Sequence, residues 1–117
     1  DIILVEFAYP FTLANDDHLE NIVIDESQLT PGYQANSIGQ RVMTRKIMNI
    51  VGEIPDGHGL GVFYWDATWT AVDGNGWDPT DPSSGNGWEN QALFDFDDEA
   101  LPALLEFQGK RSHAVAP

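Results

Sequence analysis

Glu6 closes the apolar run Ile2-Ile3-Leu4-Val5 and is the first residue of this sequence whose position suits chemistry. Parallel α/β proteins carry reactive groups at the C-terminal ends of their strands, although ordinary solvated carboxylates end strands there too. A second candidate is the loop Asn15-Asp16-Asp17-His18-Leu19-Glu20-Asn21. It offers side-chain oxygens at Asn15, Asp17 and Asn21 and a backbone carbonyl at Leu19, an all-oxygen set of the kind a hard cation such as Ca²⁺ takes. A solvated acidic turn has the same composition. The histidines point nowhere comparable: His18 lies in that loop, His58 in a turn and His113 near the end, none beside a nucleophile or other ligands at useful spacing. Neither a Ser-His-Asp arrangement nor a zinc site is indicated.

The elements that must position these residues follow from pattern. The 2–5 run is continuously apolar and β-branched, as in a strand buried on both faces. Residues 7–33 lack periodicity and carry Pro10, Asn15-Asp16-Asp17 and Pro31-Gly32, so they read as a long loop. Over 35–51 the apolar positions Ile38, Val42, Met43, Ile47, Ile50 and Val51 recur at helical spacing around Arg41, Arg45 and Lys46. The breaker Pro55-Asp56-Gly57-His58-Gly59 leads into a second buried strand over 60–65. A Gly, Asp, Pro and Ser-rich loop over 66–90 contains Gly-Asn-Gly-Trp twice, too little to make a repeat architecture. The stretch 98–107 suits a short amphipathic helix with Asp98 as cap and Leu101, Leu104 and Leu105 on one face, and 108–117 reads as a tail. Strand, loop, helix, strand, loop, helix is two consecutive units of a parallel α/β architecture, too few to close a barrel.

With 117 residues and 42% hydrophobic content the chain is one globular unit at most. Five basic against 19 acidic residues give a formal charge of -14, which repels a phosphate backbone and an anionic membrane surface alike. Nucleic acid and membrane are therefore excluded as partners. The absence of cysteine removes disulfides and zinc-thiolate sites and leaves the redox compartment open. No apolar run approaches membrane-spanning length. Opening directly on a strand, the chain reads as cut from something longer.

Three motifs, Val5-Glu6-Phe7-Ala8-Tyr9-Pro10, Gly61-Val62-Phe63-Tyr64-Trp65-Asp66 and Trp88-Glu89-Asn90-Gln91-Ala92-Leu93-Phe94-Asp95-Phe96, together resemble the C-terminal part of family 53 glycoside hydrolases. Gly32-Tyr33 and Met48-Asn49-Ile50-Val51 fit the same pattern. The resemblance implies the last two β/α units, strands seven and eight with their helices, of a (β/α)₈ barrel over 1–107. It also implies a secreted endo-β-1,4-galactanase acting on β-1,4-galactan or type I arabinogalactan. Glu6 falls on the family's retaining nucleophile, while the acid/base Glu, which follows an Asn at the end of the fourth strand, has no counterpart here. The isolated chain is accordingly expected to be nearly inactive. Trp65 matches the Trp that lines the sugar subsite beside the scissile bond, and an indole face suits the apolar face of a galactose ring. Asp66 stands where Glu is usual and Ala67 where Pro is usual, so the resemblance implies a polar contact there that is shortened or lost. Tyr9 and Trp69 are further candidates for the cleft, with Trp77 and Trp88 read as loop anchors. Bacterial members tie the loops after strands seven and eight with Ca²⁺. On that pattern Asn86 and Glu89 would join Asn15, Asp17, Leu19 and Asn21 as ligands, with Asn15 replacing the usual Asp.

A different class of function, a non-catalytic carbohydrate- or calcium-binding module, would draw on the four Trp and the acidic loops. Such modules are mostly antiparallel sandwiches, and the helical period over 35–51 argues against one. The bare edges of a two-strand sheet would also permit self-association.

Overall fold

A computed structural model describes residues 1–108, so the 109–117 part of the expected tail lies outside the described residues. The β-branched opening run forms strand β1 (Ile2–Phe7) and the second aromatic run forms β2 (Gly59–Tyr64). The two pair in parallel, and helix α1 (Ser37–Gly52) makes the crossover that parallel neighbours require. These three elements agree with the sequence pattern to within two residues at each end.

Asn36, in an extended conformation, caps α1 by accepting the Gly39 N–H on its Oδ1 at 2.7 Å. Gly39 has no substitute, because a Cβ there would lie 1.9 Å from the Gln34 carbonyl oxygen. Gly59 serves the other end, where a Cβ would stand 1.7 Å from the Val51 carbonyl oxygen. The start of β2 thus lies directly against the last turn of α1, and this contact sets the height of the strand on the helix.

Helix α1 buries Gly39, Gln40, Met43, Thr44 and Val51. Ile38, Val42 and Ile50, read as part of the same apolar pattern, stay exposed. The periodicity therefore covers two stripes, one packed and one open. The two-stranded sheet likewise leaves Ile2, Ile3 and Val5 of β1 and Leu60 and Phe63 of β2 exposed.

The expected helix over 98–107 forms only as the 3₁₀ segment Pro102–Phe107. Leu101 N–H is committed to the Leu93 carbonyl, Phe94 and Ala100 form an antiparallel bridge, and Pro102 has no N–H with which to extend a helix backward. Asp98 therefore caps nothing and sits in the turn between the bridge strands with φ +59°. Leu101 is buried and Leu104 half-buried, but Leu105 faces outward. The segment packs on α1 and places Glu106 between Arg41 (2.6 Å) and Arg45 (2.7 Å).

The hydrogen-bonded Arg45 guanidinium, joined by Arg41, pulls the Glu106 carboxyl from 4.5 down to about 2 against the opposing effect of burial. A depressed folded-state value contributes stability above the unfolded value, and this is lost as pH falls through the folded one. Thermal melts of the intact protein between pH 4.5 and 2 should show wild type losing stability across that window. Glu106→Gln should give a flatter profile there and a lower melting temperature above it. Superimposable profiles would mean that solvent screens the pair completely.

Candidate active site

The register of the sheet decides where Glu6 points. Leu4 pairs with Val62 and Phe7 with Tyr64, so β1 carries one residue more than β2 between these pairs. Strict alternation would put Glu6 on the face of Leu4. The bulge instead brings Leu4 and Phe7 to the half-buried helix side and leaves Val5 and Glu6 exposed. Phe7 meets Tyr64 edge to face at 5.5 Å in that layer.

Beyond Tyr64 the ladder continues for one bond, Trp65 N–H to the Phe7 carbonyl at 2.8 Å, which brings Trp65 level with the end of β1. The Trp65–Asp66 peptide is cis. Glu6, Phe7, Ala8 and Trp65 then line a cleft of about 250 Å³ together with Trp88 and Gln91, which arrive from the long loop after β2.

That loop is held by a buried polar knot. Tyr64 Oη donates to the Gln91 carbonyl at 2.8 Å and accepts the Tyr9 N–H at 3.0 Å. Gln40 Nε2, from α1, donates to the carbonyls of Tyr9 (3.0 Å) and Ala92 (2.7 Å). Burial pushes the Tyr64 phenol up to about 12, so it stays a neutral donor throughout the working range. Asn90 Nδ2 adds bonds to the carbonyls of Thr12 and Val23, at 2.9 and 2.7 Å.

Of the sugar-contact candidates, Glu6 and Trp65 share the cleft. Tyr9 does not: it is buried, with its hydroxyl donating to the Tyr33 carbonyl and accepting the Thr30 N–H. Its phenol is long enough to anchor the loop over the helix start, which removes it from the cleft wall. Asp66 and Trp69 are half-buried outside the cleft lining, and the Trp69 carbonyl accepts from Asn86 Nδ2 at 2.7 Å. Trp88, read as a loop anchor, lines the cleft. The available signal was its place directly ahead of Glu89-Asn90-Gln91, where the loop returns to the strand ends. Trp77 is exposed and anchors nothing with its indole, since the bond there is its backbone N–H to Gly85 O.

The six proposed cation ligands come from two loops that do meet. Asp17 Oδ1 accepts the Leu19 N–H at 2.8 Å and its Oδ2 accepts the Asn86 N–H at 2.6 Å. Asn15 Oδ1 accepts from Asn21 N and Nδ2, while Glu89 Oε1 accepts from Asp16 N and Asn21 Nδ2. Glu89 Oε2 and Asn21 Oδ1 are buried without any donor. Burial raises the Glu89 carboxyl, the Asp17 charge adds to this, and the hydrogen-bond donors oppose it. Among the described residues no three His, Cys, Asp or Glu side chains cluster tightly enough to hold a metal alone. The donor set is therefore mixed carboxylate and amide, the chemistry a hard cation accepts.

The model of the family described as Glycosyl hydrolase family 53 matches residues 1–107. The chain belongs to that family. It is 31% identical to the endo-beta-1,4-galactanase of Bacillus subtilis (strain 168), over 92% of this chain and 30% of that protein. With the arabinogalactan endo-beta-1,4-galactanase of Cellvibrio japonicus (strain Ueda107) it shares 32% identity, over 92% of this chain and 27% of the other. The solved Ignisphaera aggregans GH53 catalytic domain superposes with a TM-score of 0.81 at 39% identity, covering 91% of this chain and 29% of that one. The chain thus spans less than a third of these relatives, and its βαβ unit with the following 3₁₀ segment is a partial family 53 barrel.

Replacing Tyr64 by Phe removes one hydroxyl and leaves the Gln91 carbonyl and Tyr9 N–H buried without that partner. The expected loss in the intact protein is about 1–3 kcal/mol by denaturant titration. An unchanged midpoint would show that water replaces the phenol.

Proposed function

We propose that the intact protein is a retaining endo-β-1,4-galactanase with Glu6 as its nucleophile. The observation that carries this reading is Glu6 turned by the bulge into a cleft walled by Trp65 and Trp88. A β-linked galactose lies with its apolar face on Trp65, and Trp88 adds a second indole surface. A Glu6 carboxylate oxygen attacks C1 as the bond to the leaving oxygen breaks, forming a galactosyl ester. The proton for the leaving group comes from a carboxylic acid on a part of the protein outside this chain, about 5–5.5 Å from Glu6 as retention requires. The same group, now a base, deprotonates the water that hydrolyses the ester.

The bare sheet edges and the open stripe of α1 receive the other strands and helices of the barrel rather than a second copy. A polymer substrate of this kind is met outside the cell, so the protein is read as secreted.

Calcium fits the paired loops. Asn15, Asp17, Asn21, Asn86 and Glu89, with the Leu19 carbonyl, would hold it, and the orphaned Glu89 and Asn21 oxygens are what supports that assignment. The ion supplies charge neutralisation and ties the loop after β1 to the loop after β2, with no part in bond breaking.

Reducing-sugar release from β-1,4-galactan tests the first claim: Glu6→Gln should lower kcat by at least about a thousandfold while galactan binding persists. Retention of more than a tenth of wild-type activity would move the nucleophile elsewhere, and binding without cleavage by the wild type would make the protein a binding module. For the second claim, chelation should lower the melting temperature by several degrees, reversed by Ca²⁺ in wild type and not in Glu89→Gln. A melting temperature indifferent to chelator and calcium would remove the ion.

A further inference from the structure

The tetrapeptide Gly-Asn-Gly-Trp occurs at 74–77 and again at 85–88, and each copy contains an Asn-Gly pair. Such a pair is chemically labile. The glycine has no side chain to shield its backbone nitrogen, which attacks the asparagine side-chain carbonyl and expels ammonia; asparagine is for this reason among the thermolabile residues. Because the two copies share one local sequence, any difference in their reactivity comes from the fold. They also begin alike, with Gly74 at φ +81° and Gly85 at φ +80°.

The second copy is locked. Asn86 and Gly87 are buried, and both ends of the Asn86 carboxamide are engaged: Nδ2 donates to the Trp69 carbonyl at 2.7 Å and Oδ1 accepts the Trp88 N–H at 2.9 Å. The Asn86 backbone N–H donates to Asp17 Oδ2 at 2.6 Å. Turning the carboxamide toward Gly87 N breaks both side-chain bonds and the product step needs water, so reaction there waits on local opening. The first copy lacks these restraints. Asn75 is exposed, and the bond it makes runs from its backbone N–H to the Val72 carbonyl at 3.0 Å. Gly76 is fixed by packing: a Cβ there would lie 2.0 Å from Ser84 Oγ and 2.8 Å from Ser84 N, and Ser84 Oγ itself accepts the Asp78 N–H at 2.9 Å. The fold thus requires glycine at the position where glycine makes its neighbour reactive.

We propose that Asn75 is a site of spontaneous deamidation, a slow covalent modification that Asn86 escapes. Gly76 N bonds to Asn75 Cγ, its proton leaves with the side-chain nitrogen as ammonia, and a succinimide ring results. Water then adds to either ring carbonyl, and the ring opens to aspartate or to isoaspartate, in which the main chain runs through the former side chain. The sum is asparagine plus water giving a carboxylic acid plus ammonia, with no oxidant or reductant. The new carboxylate arises in a cleft of about 670 Å³ that Asn75 shares with Asp16, Asp17, His18 and Asp73. It adds negative charge to a wall that is already acidic. This chemistry does not depend on the galactanase reading.

The test incubates the intact protein at mildly alkaline pH and follows positions 75 and 86 by peptide mapping and mass spectrometry that resolves asparagine, aspartate and isoaspartate. The same protein unfolded in denaturant is the reference, in which both copies should convert at similar rates. In the folded protein Asn75 is expected to convert at least about tenfold faster than Asn86. Isoaspartate should be among the products, and the matching acidic charge variant should be missing from Asn75→Gln, whose longer side chain closes a ring far more slowly. Equal rates at 75 and 86 in the folded protein overturn the proposal, because the fold would then not discriminate between the copies. An Asn75 that reacts when unfolded but stays intact when folded overturns it too, since its turn would then be held as firmly as that of Asn86. Conversion to aspartate without isoaspartate would rule out the ring-closing route.

Discussion

Two polar side chains in the interior, Gln40 and Tyr64, hold together the backbone beside the Glu6 cleft. They come from α1 and β2, and their partners are backbone groups at Tyr9, Gln91 and Ala92. Those backbone groups lie just past the strand ends, where sheet pairing has run out. Without side-chain partners they would be buried and unpaired, or the loops would have to move outward to reach water. The phenol and the amide do for the loops what a third strand would do for a ladder.

The same solution recurs across the loop layer. Asn21, Asn86 and Asn90 are all buried, and each reaches a backbone group in a distant segment or in its own loop. Short amides supply both a donor and an acceptor in a fixed plane, so one residue can join two backbones that no regular element connects. Rigidity at the cleft end thus comes from scattered side chains, while the strands and helix below supply height and direction. The apolar core is correspondingly small: Met43, Val51, Ala92, Leu93, Leu101, Ala103 and the ring of Tyr9.

Sequence pattern was most legible where a period governs. The two strands and α1 announce themselves through β-branched runs and helical spacing, and the motif around Glu6 pointed to the strand end that the cleft occupies. It was least legible where a partner lies far along the chain. Nothing local distinguishes Tyr9, which turns inward to Tyr33 and Thr30, from Trp65, which stays at the cleft. Trp88 and Trp77 each follow Gly-Asn-Gly, yet one lines the cleft and the other faces outward, because only the second copy is drawn in by Glu89 and Asn90. The helix expected from Asp98 failed on a single covalent fact, the proline at position 102, combined with a bridge to Phe94 that spacing does not reveal.

The bulge in β1 has a consequence for how this strand end can vary. Because the side-chain period is two, the extra residue between Leu4 and Phe7 makes the placement of Glu6 a matter of parity. Removing one residue there would restore alternation and exchange the cleft-facing and helix-facing positions beyond it. Adding one would do the same from the other direction. Insertions and deletions at this strand end are therefore not tolerated. The loops above can lengthen or shorten among relatives, while the few residues leading into Glu6 must keep their number.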